Sequence, residues 1–344
     1  MSESTPFRRL AELLGYPDSE RLVGILRQIL TEEEARWLAA LPGTPGQLAG
    51  RLGATAEFAR QILATLADKG VAVPGEETPT GRTYHRLEIG PLADAVLIDP
   101  RYEALGESFY DAWRDFWNDD MLRAAQAPEA IQARDEKPPE FRILPAEAAL
   151  PTEDVSDHER ASWIIARAET IAVAQCPCRR RERRCDHEHE VCLWLDGVAR
   201  YALERGSARA ITHEEALDIL ERASAAGLVH NTENVRTPRV ICNCCSCCCA
   251  FLRPHVVHGL DLPVATSRYR AVVDDGACVN CGVCVARCPF GALSQGDGSV
   301  QVDISRCTGC GVCAVACPQE ALRLAAVGSA APLHDGQWIG ELSD

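Results

Sequence analysis

The chain has 344 residues, of which 47% are hydrophobic and 25% are charged, and its formal net charge is −15. So acidic a balance argues against general binding to nucleic acid, whose phosphates attract basic surfaces. No apolar run is long enough to span a membrane, and residues 1–10 lack the apolar core of a secretory signal, so we expect a soluble, cytoplasmic protein.

Residues 1–90 predict a small helical domain. Helix starts are indicated at Thr31, which begins a capping box, at Thr44, which precedes a proline, and at Thr55. The last of these helices has an apolar face made of Phe58, Ile62, Leu63 and Leu66. A strand is predicted at Val71–Val73. Over about 45 residues this order resembles a winged helix-turn-helix domain.

The helix that begins at Thr55 carries no net positive charge. Its charged residues are Glu57, Arg60, Asp68 and Lys69. A helix that reads DNA normally has basic contacts around it. We therefore expect a docking or scaffold domain, and DNA binding is the alternative.

Residues 91–150 are expected to connect this domain to the rest of the chain. The aromatic side chains between Phe109 and Trp117 recur at helical spacing, which is typical of a core or an interface. A linker is predicted at residues 134–139, and an edge strand at Phe141–Leu144.

Residues 151–265 predict a helical, cysteine-rich, metal-binding domain. One helix is expected from about Glu153 to Ala174, and another from Thr212, with Glu215 in a capping box, to near Gly227. The domain contains ten cysteines, namely Cys176, Cys178, Cys185, Cys192, Cys242, Cys244, Cys245, Cys247, Cys248 and Cys249.

These ten thiols leave three interpretations open. They could bind one or two iron–sulfur clusters, or a structural zinc ion together with His187 or His189. They could also form a redox-active thiol or disulfide site. The neighbouring basic run Arg179–Arg184 is either a solvated loop or a set of guanidinium groups that offset thiolate charge or recognise an acidic partner.

Residues 266–330 contain the spacing C-x2-C-x2-C-x3-C-P twice, which is the ligand run of paired [4Fe-4S] clusters. In that arrangement the fourth cysteine of each run binds the other cluster. Gly282 and Gly311 would let the loops wrap closely around the clusters, and a strand is predicted at Arg270–Asp274. The predicted ligands are Cys278, Cys281, Cys284 and Cys317 for cluster I, and Cys307, Cys310, Cys313 and Cys288 for cluster II.

The segments ACVNCGVCVARCPFGAL and RCTGCGVCAVACPQEALRL closely resemble bacterial two-cluster ferredoxins, over about 60 residues. That resemblance implies a pseudo-symmetric fold with two strand pairs and two short helices. The pieces CPCR (176–179), EVCL (190–193) and CNCCSCCC (242–249) resemble multidomain bacterial iron–sulfur proteins without an assigned reaction. The second resemblance implies metal binding and no particular substrate.

The whole sequence predicts a multidomain, mainly α protein with small α+β parts and a polar tail at residues 331–344. Its three parts would be a winged-helix-like domain, a helical cysteine-rich domain and a ferredoxin-like two-cluster module. We expect an iron–sulfur electron-transfer protein or subunit that exchanges single electrons with a partner oxidoreductase. The alternatives are a redox- or metal-sensing regulator and an iron–sulfur reductase with an open coordination position in residues 176–249.

Overall fold

A computed structural model describes residues 5–128, 130–131, 139–329 and 333 of the chain. Most of the predicted tail at 331–344 and most of the predicted linker at 134–139 lie outside the described residues. Within the described residues, no helix combines the length and the apolar character needed to cross a membrane.

Helices and a hairpin form the N-terminal part. The helices are α1 (Pro6–Leu13), α2 (Glu20–Ile29), α3 (Glu32–Ala39), α4 (Pro45–Leu52) and α5 (Ala56–Asp68). As predicted, the side chains of Thr31, Thr44 and Thr55 cap helices by accepting hydrogen bonds from backbone N–H groups. The antiparallel hairpin follows, with β1 (Ala72–Thr78) and β2 (Gly81–Arg86).

The apolar face predicted for α5 is largely correct, because Ile62, Leu63 and Leu66 are buried. Phe58 is the exception, since it is 41% exposed. Its ring meets Trp37 edge-on, with the ring centroids 5.7 Å apart. The winged-helix assignment itself stays a prediction.

Two more helices pack this part onto the cysteine-rich unit. They are α6 (Ile89–Ile98) and α7 (Glu107–Asp115), and α7 continues through a π-helical turn, Phe116–Met121, into α8 (Leu122–Ala125). The aromatic stretch is core, as predicted, because Phe109, Trp113 and Phe116 are buried.

The cysteine-rich unit is built on a sheet, so the prediction of a helical domain at 151–265 is wrong. The strands are β3 (Phe141–Leu144), β4 (Ile171–Gln175), β5 (Glu190–Leu195), β6 (Arg209–Ala210), β7 (Val229–Glu233), β8 (Val240–Cys244) and β9 (Val264–Ala265). They form a seven-stranded sheet in the order β6-β4-β5-β8-β7-β3-β9. The described chain is therefore mixed helix and sheet and not mainly α.

Two local predictions within this unit are wrong. The predicted helix Glu153–Ala174 is replaced by a 3-10 turn, Asp157–Glu159, then α9 (Ala161–Arg167) and β4. Four successive residues of β4 are buried, and an apolar run that is buried on both faces lacks the alternation that identifies a strand. Likewise, β3 is not an edge strand, because it lies between β7 and β9.

Four helices accompany the sheet, namely α10 (Pro177–Glu182), α11 (Asp196–Glu204), α12 (His213–Ala225) and α13 (Leu252–His258). The start of α12 is as predicted, because the Thr212 side chain accepts a hydrogen bond from the backbone N–H of Glu215. The predicted capping box is only half formed, because the Glu215 carboxylate pairs with Arg209. The helix ends just before Gly227, whose φ of +82° suits glycine.

The C-terminal module has the two strand pairs and two short helices that the ferredoxin resemblance implies. β10 (Tyr269–Val273) pairs with β13 (Leu322–Ala326), and β11 (Leu293–Gln295) pairs with β12 (Val300–Val302). The helices are α14 (Val283–Arg287) and α15 (Val312–Val315), which pack against each other. The strand predicted at 270–274 begins and ends one residue earlier than predicted.

Candidate metal centres

Two cavities in the C-terminal module are each lined by four cysteines. One is lined by Cys288, Cys307, Cys310 and Cys313. The other is lined by Cys278, Cys281, Cys284 and Cys317. Each cavity therefore combines three cysteines of one sequence run with the fourth cysteine of the other. The packing of α14 against α15 places each fourth cysteine beside the opposite loop.

The walls of both cavities suit an iron–sulfur cluster. Backbone N–H groups donate hydrogen bonds to the sulfurs of Cys288, Cys307 and Cys317, and such bonds stabilise thiolate ligands. Burial raises the pKa of Cys310 to about 12. A buried Cys310 thiolate without a nearby cation is unfavourable in free energy. Binding of a metal would stabilise this negative charge. The residues present fit the cofactor.

Glycines at positive φ shape the second loop. Gly311 has a φ of +79°, and a Cβ there would lie 2.8 Å from the Cβ of Ala149. Gly309 has a φ of +71°, and a Cβ there would collide with the carbonyl oxygen of Tyr269 and the hydroxyl of Ser267. The sequence pattern indicates Gly311 and not Gly309. The equivalent position in the first loop is Asn280, whose φ is also positive, at +52°.

The two cavities differ in exposure. In the cavity of Cys278 and its partners, Cys281 is exposed, and two other lining residues, Val279 and Val283, are 62% and 42% exposed. In the other cavity, Cys310 and Cys313 are buried. We call the cavity that contains Cys281 the outer cavity and the cavity that contains Cys310 the inner cavity.

The inner cavity adjoins the cysteine-rich unit. Cys310 belongs to the same apolar core as Cys244 and Cys249, together with Phe290 and Val312. The backbone N–H of Ala146, just after β3, donates a 2.8 Å hydrogen bond to the carbonyl oxygen of Cys310. The inner cavity is therefore anchored directly to the sheet that carries the upstream cysteines.

The ten upstream cysteines divide into two groups. We call the first the loop quartet, and its members are Cys185, Cys245, Cys247 and Cys248, whose sulfurs all lie within 4.8 Å of one another. We call the other six the sheet sextet. Its sulfurs interact in the order Cys176, Cys178, Cys249, Cys244, Cys242 and Cys192.

The sheet order explains the sextet. Cys192 lies on β5, and Cys242 and Cys244 lie on the adjacent β8, two residues apart and therefore on one face. Cys176 follows β4, which is the other neighbour of β5. Strands far apart in sequence thus bring these thiols together at one place in the sheet.

Helix α6 contributes Asp94 to the surroundings of the sextet. Burial raises the pKa of Asp94, and negative charge on Cys178 and Cys242 raises it further. A carboxyl with a raised pKa keeps its proton to a higher pH than an exposed carboxyl does. No motif in the sequence pointed to this residue.

The basic run is not a solvated loop. Pro177–Glu182 form α10, and the Arg179 side chain within it is 1% exposed. Its guanidinium donates hydrogen bonds to the carbonyl oxygens of Glu188, at 2.9 Å, and Asn243, at 2.7 Å. Burial lowers the pKa of Arg179, but the sulfurs of Cys176 and Cys245 outweigh that effect and keep it charged. These contacts support the interpretation that the run offsets thiolate charge.

Other arginines of the run attach α10 to the N-terminal part. The Arg181 guanidinium lies over the Trp117 ring, 4.0 Å from its centroid, and pairs with Glu182. Arg180 lies over the ring of Tyr110. The metal-binding region is thus covered by α7 and the turn that follows it. His187 and His189, considered above as zinc ligands, are not members of the loop quartet.

Residues 270–318 match the family model of the 4Fe-4S dicluster domain. Searches of curated proteins and of solved structures gave no significant match. The chain thus carries an iron–sulfur dicluster domain near its C-terminus, preceded by a cysteine-rich region that resembles a cluster-binding unit.

Proposed function

We propose that this protein is an electron-transfer protein, or an electron-transfer subunit of a larger system, that connects the sheet sextet to a partner oxidoreductase. The observation that carries the proposal is the pair of cysteine-lined cavities, one anchored to the upstream cysteines and one open at the surface. Clusters of this type exchange single electrons when bound. The cysteines of the crossed sets are the proposed ligands.

The inner side of this arrangement is buried and apolar. Phe290, Val312 and Leu252 share one apolar core with Cys310 and the sextet cysteines Cys244 and Cys249. Close packing of this kind excludes water and keeps the sulfur positions fixed relative to one another. These residues would keep the distance between the inner cavity and the sextet short and constant.

The outer side has the features of a docking surface for a redox protein. Val279 and Val283 form an exposed apolar spot at the cavity of Cys281. Asp274 and Asp275, just before this loop, are exposed, and the chain as a whole is acidic, at −15. A partner with an apolar contact area surrounded by basic residues would complement this surface.

Two measurements on the full chain, purified anaerobically, test the proposal. They are metal and sulfide analysis and a reductive titration. We expect about eight irons in the dicluster domain, further iron in the sextet, and uptake of single electrons from a low-potential donor. Cys176→Ser and Cys244→Ser should each lower the iron and sulfide content, whereas Ser246→Ala, in the same block, should not. If both cysteine variants keep their full iron and sulfide, the sextet holds no cluster and the proposed path begins elsewhere.

A reductase with an open coordination position is the second candidate, because Asp94 places a protonatable group near Cys178 and Cys242. Mössbauer spectra that resolve one iron site distinct from the others would favour it. Spectra with only all-cysteine cubane signals would remove it.

A further inference from the structure

The sulfurs of the loop quartet are unusually close to one another. The Sγ atom of Cys185 lies 3.8 Å from that of Cys245 and 3.7 Å from that of Cys248. The sulfurs of Cys248 and Cys247 are also 3.7 Å apart. Among the residues that the structure describes, this is the only group of three or more His, Cys, Asp or Glu residues whose ligand atoms all lie within 4.8 Å of one another.

This spacing is that of ligands sharing one ion. A metal–sulfur bond of about 2.3 Å places the four corners of a tetrahedron about 3.8 Å apart. In a cubane each thiolate binds a different iron, so the four sulfurs must stand farther apart. In neither the inner nor the outer cavity do the four cysteine sulfurs all lie within 4.8 Å of one another, as those of the quartet do.

We propose that Cys185, Cys245, Cys247 and Cys248 bind a single divalent metal ion in tetrahedral geometry, separate from every iron–sulfur cluster in the protein. A tetrahedral site of four thiolates takes zinc or iron. All four positions are filled by the chain, which is typical of a structural site and not of a catalytic one. The proposal does not depend on the electron-transfer function.

The chain builds this site from two loops. Arg183 ends α10 in the left-handed conformation, with a φ of +51°, and turns the backbone so that Cys185 reaches the quartet. Cys245, Cys247 and Cys248 lie on the turn that follows β8. The backbone N–H of Arg184 faces the Cys248 sulfur.

The surroundings suit a dianionic metal–thiolate centre. The buried Arg179 guanidinium lies beside Cys245 and offsets part of the negative charge. Ala223 and Leu228 pack against Cys245 and Cys248 and shield one side from water.

The position of the site suggests what the ion does. It joins the end of α10 to the end of β8, and these two elements carry Cys178 and Cys244 of the sextet. A metal ion bound by both loops would fix the position of Cys178 relative to Cys244. The quartet would thus be a structural support for the neighbouring site.

The test on the unaltered full chain is metal analysis combined with X-ray absorption at the zinc and iron edges. We expect one zinc per chain with four sulfur neighbours at about 2.3 Å and no iron neighbour. If iron takes the place, a high-spin ferric signal after mild oxidation identifies it as a single ion. Co²⁺ exchanged into the site should show the visible bands of tetrahedral thiolate coordination. Absence of any such ion from the freshly purified protein would overturn the proposal.

Variants assign the ion to these residues. Cys185→Ser and Cys247→Ser should each remove the single ion, and any sulfide lost from the neighbouring sextet should accompany the loss of that ion. Ser246→Ala, between two of the ligands, should keep the ion. Loss of about four irons and four sulfides with the single ion retained would instead show a cubane at the quartet. Failure of the reductive titration would bear on the proposed function and not on this site.

Discussion

Arg268 and Glu159 form an ion pair, with 2.8 Å between Nε and Oε1, that joins the dicluster domain to the cysteine-rich unit. Their side chains are only 8% and 9% exposed. The Tyr269 hydroxyl donates a further hydrogen bond to Glu159, at 2.9 Å. The Glu159 carboxylate of the cysteine-rich unit is thus bound by Arg268 and Tyr269 at the start of β10.

Glu159→Gln should loosen this junction. The change leaves Arg268 with Asp154, an exposed carboxylate 3.3 Å away, as its charged partner, and we expect a cost of about 2 kcal/mol in the free energy of unfolding at pH 7. Hydrogen exchange of the β10 amides should report it as faster opening. Glu57→Gln, which removes an exposed pair with Arg60 on α5, is the control and should leave these amides unchanged.

The effect of Glu159→Gln should depend on pH. Burial raises the pKa of Glu159, but hydrogen bonds from Arg268 and from the backbone N–H of Ser156 outweigh it and hold the pKa below the ordinary 4.5. A carboxyl with a lowered pKa stabilises the fold above its ordinary pKa, and this contribution is lost as the pH falls through the folded value. The difference in exchange rate between the two proteins should therefore shrink below about pH 4.5. A difference that grows as the pH falls would contradict the assignment.

Pairs of cysteine substitutions test the crossed ligand sets. Cys278 and Cys317 line the same cavity, although they belong to different sequence runs. Cys278→Ser combined with Cys317→Ser should remove about four irons, no more than either change alone. Cys278→Ser combined with Cys288→Ser should remove about twice as many. The opposite pattern would mean that each run binds its own cluster.

Exchanging the residues at one loop position tests the packing of the inner cavity. Gly309→Asn introduces the residue that the first loop carries as Asn280, but its Cβ would meet the carbonyl oxygen of Tyr269. We expect the loss of about four irons. Asn280→Gly should keep both clusters, since it removes only a 2.9 Å hydrogen bond from Asn280 Nδ2 to the Gly296 carbonyl. Full iron content in Gly309→Asn would show that the loop can shift.

Val279→Lys should slow electron exchange through the outer cavity. A positive charge at this exposed position replaces an apolar contact and repels a basic partner. With cytochrome c as a basic one-electron acceptor, we expect a rate roughly tenfold lower at low salt. Ile304→Lys changes a residue of similar exposure, 61%, that does not line the cavity, and should have a smaller effect. Equal rates for the two variants would argue against docking at Val279.

The local features of the fold could be predicted because they depend on neighbours in sequence. The caps at Thr31, Thr44 and Thr55 need only a side chain and an N–H group three residues away. The sheet could not be predicted in this way. Ile171–Ala174 is apolar throughout, and only its place between β5 and β6 shows why it is a strand.

The surroundings of Arg179 are a second feature that could not be predicted from neighbours in sequence. The sequence placed Arg179 in a basic run next to thiols and left open whether water or sulfur surrounds it. The answer depends on the carbonyl oxygens that accept its hydrogen bonds, and one of them belongs to Asn243, 64 residues away in sequence.

The sequence by itself determined the chemistry of the dicluster domain, since three of the four cysteines for each cavity lie within a single short loop. The tertiary structure alone decided how the other ten cysteines divide into a close quartet and an extended sextet. Their sulfurs come together through the pairing of β5 with β8 and through the turns that follow α10 and β8. Spacing along a chain defines distances within one loop, whereas distances between loops are set by the packing of the elements that carry them.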